Sequence, residues 1–155
     1  MFDLLLKGGT AVTPQGAGLY DVAIKGEQIA AVAAPGTIPD NAAAAVKDVS
    51  GKIVMPGGID PHVHCAWHMP LPDGSAVTSG PPEDVSRAAL WGGTTTIIDF
   101  AARMDPKPLA QVIAERDEQW VDQCYCDYAY HIMLLGDLEH DVIGIVAIAL
   151  VHPRA

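Results

Sequence analysis

The stretch Ile53-Val-Met-Pro-Gly-Gly-Ile-Asp-Pro-His-Val-His64 decides how the rest of the chain is interpreted. An apolar lead-in and a Pro-Gly-Gly kink precede two histidines, and the pattern predicts a strand over 59–64. Side chains alternate along a strand, so His62 and His64 project to the same side at its C-terminal end. Two neighbouring imidazoles are candidate metal ligands; a pair of core histidines bonded to the backbone is the alternative.

From Ile53 onward, strand patterns alternate with helix patterns. Such alternation indicates parallel strands joined by right-handed crossovers, as at the start of a (β/α)8 barrel. A complete barrel needs about 250 residues, so only its first three units fit into this chain. The predicted strands are Ile59–His64, Thr94–Phe100 and Cys126–Leu134, and the predicted helices are Pro82–Trp91, Pro108–Gln123 and Leu138–Leu150.

The first third of the chain has a different pattern, with short strands separated by glycine-containing turns. We expect an α/β protein with two parts: a small sandwich-type β domain over 1–54, and a barrel that begins at 55 and is incomplete at 155. A hairpin is predicted within 22–32, and the alanine run 42–45 is left open between a helical turn and a strand. The predicted strands are Asp3–Lys7, Ala11–Thr13, Asp21–Lys25, Gln28–Ala33 and Lys47–Val49.

Composition narrows the class of protein. The 155 residues are 50% hydrophobic with few aromatics and carry a formal charge of −10, which disfavours nucleic acid and anionic membranes as partners. The three cysteines lack Cys-x-x-Cys spacing, and the N-terminus lacks the features of a signal peptide. The longest apolar run, 142–151, is half of the roughly 20 residues that a membrane span needs. We therefore expect a cytoplasmic protein with reduced thiols and no membrane segment.

Four blocks together resemble one family, over the chain up to about residue 143. Dihydropyrimidinases (hydantoinases), which are cyclic amidohydrolases related to allantoinase and dihydroorotase, are similar in the order and distance of these blocks. The resemblance implies that this chain is the N-terminal part of an enzyme that hydrolyses the amide C–N bond of hydantoins and dihydropyrimidines. The blocks are Asp3-Leu-Leu-Leu-Lys-Gly-Gly-Thr10, Pro56-Gly-Gly-Ile-Asp-Pro-His-Val-His64, Gly92-Gly-Thr-Thr-Thr-Ile-Ile-Asp-Phe100 and Asp127-Tyr-Ala-Tyr-His131.

What the resemblance implies about the site is a centre of two divalent metal ions, expected to be zinc, bridged by a hydroxide that attacks the amide carbonyl. His62 and His64 match two of the metal ligands. The family's carboxylated lysine, two later histidines and general-base aspartate match no position here, so the catalytic residues stay unassigned. Asp60 is expected either to orient the first ligand or to cap the backbone. The resemblance also implies a homo-oligomer, a tetramer, when the enzyme is intact.

The loop after the histidine pair is where the resemblance places contacts with the substrate. Trp67, His68 and Met69 are the candidates, with simple packing under the loop as the alternative, and His68 is a weaker candidate for a further ligand. Dihydroorotases carry an arginine that grips a substrate carboxylate at the position of Ala66. Without that bidentate clamp, the loop predicts hydantoins or dihydropyrimidines rather than dihydroorotate as substrates.

Other reactive or aromatic side chains have structural interpretations. Asp99 ends a threonine-rich strand and is predicted either to face the site or to serve the fold. We expect Cys65 to be a buried, inert thiol rather than a thiolate, and His131 to be a core histidine bonded within the fold. Trp120 shares a helical face with other apolar residues and is predicted to lie in the core.

Three other functions remain open at this stage. A mononuclear deaminase of the same superfamily would share the His-x-His pair, and a scaffold homologue would be expected to lose it. The third alternative is a self-contained binding module. The chain alone is expected to be inactive and prone to aggregate, because the strand at 126–134 would keep an unpaired edge. Since 142–151 lacks polar residues, we expect a truncation or frame change after about residue 143, or a native tail that packs on a partner.

Overall fold

The computed structural model describes residues 1–103, 105–134 and 149–151. The chain forms two compact units, Met1–Pro56 and Gly57–Ala155, in a mixed α/β, sheet-rich fold. In the described part of the chain, neither α-helix is long and apolar enough to cross a bilayer.

The first unit contains one sheet built around its longest strand, β1. This strand pairs antiparallel with β2 and parallel with β4 and β5, while β3 extends the sheet beyond β2. Leu5 and Ala23 are fully buried and form a small core with Ile38. The strands are β1 (Phe2–Thr13), β2 (Gly16–Lys25), β3 (Gln28–Ala33), β4 (Ala43–Asp48) and β5 (Ile53–Val54), with a short 3-10 helix at Asp40–Ala42.

Strand pairing extends the predicted strands of this unit. The hairpin of β2 and β3 is confirmed, with Lys25 opposite Gln28. The predicted break at the first glycine pair is instead an irregularity within β1, between Leu6 and Gly9, where Gly8 takes a φ of 78°. The open alanine run is a strand from Ala43 onward, because pairing with β1 satisfies its backbone and outweighs the helix propensity of alanine.

The second unit contains a sheet in the order β6-β9-β10-β11, in which the first three strands are parallel. The parallel strands confirm the predicted alternation, and α1 has the predicted bounds. A separate hairpin of β7 and β8 lies in the connection between β6 and α1. The elements are β6 (Gly58–Asp60), β7 (His68–Pro70), β8 (Ala76–Thr78), α1 (Pro82–Trp91), β9 (Thr94–Arg103), α2 (Leu109–Asp117), β10 (Asp127–Leu134) and β11 (Ala149–Val151).

The predicted C-terminal ends of two helices were wrong. The helix expected to reach Gln123 ends at Asp117. The backbone N–H of Trp120 donates to the Asp117 carbonyl at 2.8 Å, which forms a turn. This turn directs the Trp120 side chain into the core. The helix expected over 138–150 falls largely outside the described residues, but its last two positions belong to β11. Since β11 pairs antiparallel with β10 at Tyr128–Tyr130, that edge is not unpaired there, contrary to expectation.

The core of the second unit is aromatic. Trp120 is fully buried, as predicted, and its ring centroid lies 5.0 Å from that of Tyr128 and 5.8 Å from that of Tyr130. Both tyrosine hydroxyls donate to one carboxylate oxygen of Asp117, at 2.9 and 3.2 Å. On β9, alternate residues from Ile97 onward face this core, so the intervening side chains, including Phe100, lie on the opposite face of the strand.

Candidate metal centre

The histidine pair follows β6 directly. The strand ends at Asp60 and not at His64 as predicted, since Pro61 has no N–H to continue the ladder. The Val63 N–H nevertheless donates to the Ile98 carbonyl at 3.0 Å, which holds the segment beside β9. The two imidazoles therefore stay on one side of the segment, and their Nε2 atoms are 3.2 Å apart.

This separation is compatible with binding of one cation by both rings. Nitrogen ligands at zinc distances of 2.0–2.1 Å in a tetrahedral arrangement are about 3.3 Å from each other. Both histidines are exposed and so accessible to an ion. Among residues 1–103, 105–134 and 149–151, no group of three or more His, Cys, Asp or Glu side chains is placed to hold a metal. Within the described residues, the candidate site therefore consists of these two histidines.

Aromatic rings hold the imidazoles in place. Phe100 stacks on His64 with centroids 4.9 Å apart and planes 19° apart, and it contacts His62 edge-on at 4.6 Å. The ring of Trp67 meets His64 at 4.7 Å on another side. These contacts restrict the rotation of the two side chains and so keep the nitrogen atoms close.

Two polar residues shape the backbone that carries the pair. A carboxylate oxygen of Asp60 accepts the backbone N–H of His62 at 3.1 Å, which is the capping role of the two considered from sequence. The Nε2 atom of His131 lies 2.9 Å from the Pro61 carbonyl oxygen, so this histidine is bonded within the fold as expected. Both interactions act on residues 60–62, at the start of the segment that carries the histidine pair.

Asp99 lies on the face of β9 that points away from the histidine rings. It is fully buried, and its oxygens accept hydrogen bonds from four N–H groups. The structural role considered from sequence is therefore the one that the fold shows. The donors are the backbone N–H of Cys65 (3.1 Å), the indole Nε1 of Trp67 (3.2 Å), the backbone N–H of Phe100 (2.5 Å) and Nη2 of Arg116 (2.5 Å).

Sequence reasoning did not identify Arg116 as part of this network. Its guanidinium also donates to the carbonyl of Cys65, which is 51 residues away in the chain. A basic residue near the end of a helix is common, because it complements the helix dipole, so no local signal marked its partner. Only the packing of α2 beside β9 reveals the contact.

Cys65 is inert in this environment. Its side chain is fully buried, and desolvation, with a further contribution from the nearby Asp99 charge, raises the pKa of the thiol to about 12. The thiol therefore stays protonated at neutral pH, as expected from sequence, and the thiolate alternative has no support.

The loop after the pair forms the hairpin of β7 and β8. His68 lies 3.2 Å from the Thr78 hydroxyl through its Nδ1 atom and belongs to no three-residue ligand group among the described residues, while Met69 is exposed. Trp67 contacts both His64 and Asp99. A cavity of about 330 Å³ opens beside this loop, lined by Ala66, Trp67, His68, Phe100, Ala102, Val112, Glu115, Arg116 and Gln119.

Comparison with known proteins finds similarity to D-hydantoinases and dihydropyrimidinases. The chain is 36% identical to the D-hydantoinase of Streptomyces coelicolor over 141 residues, which is 90% of this chain and 29% of the relative. It is 32% identical to the dihydropyrimidinase of Rattus norvegicus over 132 residues, which is 83% of this chain and 24% of the relative. No protein-family model matches the chain.

Solved structures agree with the sequence relatives. The crystal structure of dihydropyrimidinase from Brevibacillus agri matches 92% of this chain, and 29% of its own, with a TM-score of 0.76 and 32% identity. The fold is thus that of a segment found in cyclic amide hydrolases. More particularly, the homologues are D-hydantoinases and dihydropyrimidinases, which confirms the resemblance predicted from the four sequence blocks. The chain spans less than a third of the length of these relatives.

Proposed function

We propose that this chain forms part of a metal-dependent hydrolase of cyclic amides in which His62 and His64 bind a divalent ion. The observation that carries the proposal is the 3.2 Å separation of the two Nε2 atoms after a parallel strand. The names of the homologues supply the reaction class. Zinc is the proposed ion, with two ions per site in an intact enzyme.

The architecture that we propose for the intact enzyme is a small β domain over 1–54 followed by a (β/α)8 barrel. In this arrangement β6, β9 and β10 are its first three strands, and the histidines lie beyond the C-terminal end of the first. Barrel enzymes carry their active sites at that end of the strands, which supports the assignment. A cytoplasmic tetramer is proposed on the family resemblance.

A divalent ion at this position would polarise an amide carbonyl and lower the pKa of water. The side chains of this protein orient the two imidazoles and select the substrate. Phe100 and Trp67 hold the imidazoles, and the cavity of about 330 Å³ beside Trp67 has room for a small ring. With Ala66 in place of a guanidinium, nothing at that position pairs with a carboxylate, so hydantoins and dihydropyrimidines are favoured over dihydroorotate.

Metal binding tests the first step of the proposal. Titration of the 155-residue chain with Co²⁺, followed by calorimetry and visible absorption, should give an affinity that falls about 10-fold or more in His62→Asn and in His64→Asn. His68→Asn is the matched control, because this histidine is exposed in the same loop but lies outside the pair. Equal affinity in all four proteins would refute the assignment of the ligands.

Substrate choice tests the second step. In a chimera, this chain replaces the matched 141-residue segment of the Streptomyces coelicolor D-hydantoinase. The chimera should hydrolyse hydantoin with a higher kcat/KM than dihydroorotate, and Ala66→Arg should narrow that difference. A preference for dihydroorotate in the unsubstituted chimera would exclude the proposed substrate class.

A further inference from the structure

The carboxylate of Asp99 connects three parts of the second unit. Two of its four N–H donors, the Cys65 backbone and the Trp67 indole, belong to the segment immediately after His64. The third comes from Arg116 on α2 and the fourth from the neighbouring backbone of Phe100. The carboxylate thus ties this segment to β9 and to α2 at a position with no exposure to solvent.

Two of the residues that bond to Asp99, Trp67 and Phe100, also contact His64. Trp67 places its ring 4.7 Å from the imidazole, and Phe100 stacks on it at 4.9 Å. Arg116 binds the carbonyl of Cys65, whose N–H donates to Asp99. Its guanidinium also lies 6.0 Å from the Trp67 ring centroid. The residue after His64 is therefore held at both its N–H and its carbonyl.

We propose that Asp99, together with Arg116, is a positioning residue that sets the orientation of the His64 imidazole. The orientation of the imidazole by Asp99 is independent of the proposed function. Only the consequence that metal binding depends on Asp99 rests on it. Both oxygens of the buried carboxylate accept hydrogen bonds, four in total, and no uncharged side chain of the same shape can accept all four. Each of its oxygens accepts two of the four N–H groups, so an asparagine in its place presents an NH₂ group to two of those donors and leaves the Arg116 guanidinium without a counter-charge.

Asp117 offers a matched control for Asp99. It also accepts hydrogen bonds inside the second unit, from the hydroxyls of Tyr128 and Tyr130, and it lies one residue after Arg116. None of its hydrogen bonds in the described part of the chain reaches the segment after His64. Asp117→Asn should therefore disturb the core without turning the imidazole.

The experiment compares Asp99→Asn, Asp117→Asn and the unmodified 155-residue chain in two measurements. Without metal, NMR should show displaced Hδ2 and Hε1 resonances of His64 in Asp99→Asn and unchanged resonances in Asp117→Asn. With Co²⁺ as the probe, the affinity should fall about 10-fold or more in Asp99→Asn, with altered visible bands, and by less than about twofold in Asp117→Asn.

The outcomes separate this inference from the proposed function. Unchanged His64 resonances in Asp99→Asn, or equal displacement in both variants, would overturn the positioning role. Displaced resonances in Asp99→Asn alone would support it even if the unmodified chain binds no Co²⁺, which would instead overturn the metal proposal. If Asp99→Asn fails to fold, Arg116→Lys keeps a positive charge but removes the planar guanidinium that bonds to Asp99 and to the Cys65 carbonyl, and it changes neither Trp67 nor Phe100. Displaced His64 resonances in Arg116→Lys would then support the positioning role, and unchanged resonances would overturn it.

Discussion

Ala66 adopts a left-handed backbone conformation, with a φ of 52°, directly after the buried Cys65. Its N–H donates to the Gly80 carbonyl at 2.8 Å, which holds the start of the hairpin of β7 and β8 in place. A side chain with a Cβ atom is strained in this region of backbone space. The segment 62–64, which carries the histidine pair, is thus followed by a turn whose geometry favours glycine over alanine.

Ala66→Gly should therefore stabilise the chain. Relief of the left-handed strain is worth about 1–2 kcal/mol, and the greater freedom of glycine in the unfolded state cancels part of it, so we expect a net gain of about 0.5–1 kcal/mol. Chemical denaturation measures the difference. Ala102→Gly, within extended β9, is the control and should cost stability; a loss of stability in Ala66→Gly as well would show that the turn carries no strain.

Among the elements, β6 depends on a close approach to β9. A Cβ atom added at Gly57 would lie closer than 3.0 Å to the side chain of Thr95, whereas one added at Gly58 would meet its nearest neighbour, the Thr94 hydroxyl, at 3.3 Å. The strand that leads to the histidines can pair with β9 because the residue before it lacks a side chain.

Gly57→Ala should accordingly destabilise the second unit by about 1–3 kcal/mol, as expected for overpacking. It should also weaken Co²⁺ binding, because the shift of β6 would move His62 relative to His64. Gly58→Ala serves as the control with a smaller effect on both quantities. Thermal melts and Co²⁺ titrations that rank the two variants in the opposite order would contradict this account of the strand.

The contact between α2 and β10 predicts a response to alkaline pH. Burial, with added effects of the neighbouring Asp117, raises the pKa of Tyr128 and of Tyr130 far above the usual value of 10. Above about pH 10 the unfolded chain loses these protons while the folded chain keeps them. Stability that is present below pH 10 is therefore lost as the pH rises.

The expected loss is about 1.4 kcal/mol per pH unit for each tyrosine above pH 10. Denaturation between pH 9 and 11 should show a shallower decline in Tyr128→Phe and in Tyr130→Phe than in the unmodified chain. Tyr20→Phe, in the first unit, provides the control. Identical slopes in all four proteins would mean that the buried tyrosines titrate normally.

At the scale of the whole molecule, the proposed ligands predict how the 155-residue chain behaves by itself. Catalytic zinc sites use three protein ligands and an open position, whereas the described residues contain no group of three candidate ligands beside the proposed pair His62 and His64. We expect purified chain to bind zinc weakly and to leave hydantoin unhydrolysed above the buffer rate. Elemental analysis after dialysis and a hydantoin assay check this, and stoichiometric metal with turnover would disprove it.

The sequence by itself determined the alternation of β6, α1, β9, α2 and β10, the bounds of α1 and the position of His62 and His64 on one side of the chain just after a strand. These features depend on signals only a few residues apart: side-chain alternation, proline before a helix and glycine at a turn. The four sequence blocks likewise identified the homologues. Local patterns were enough because each of these features is a property of a short segment.

Only the tertiary structure decided which way Asp99 points and what it holds. Its bond to Cys65 joins residues 34 apart, and the bond from Arg116 to Cys65 joins residues 51 apart. The strand at 43–48 was likewise set by a partner distant in sequence, β1, and α2 ends early where the Trp120 side chain enters the core. Such contacts arise from the packing of whole elements, and a single sequence contains no local pattern that specifies them.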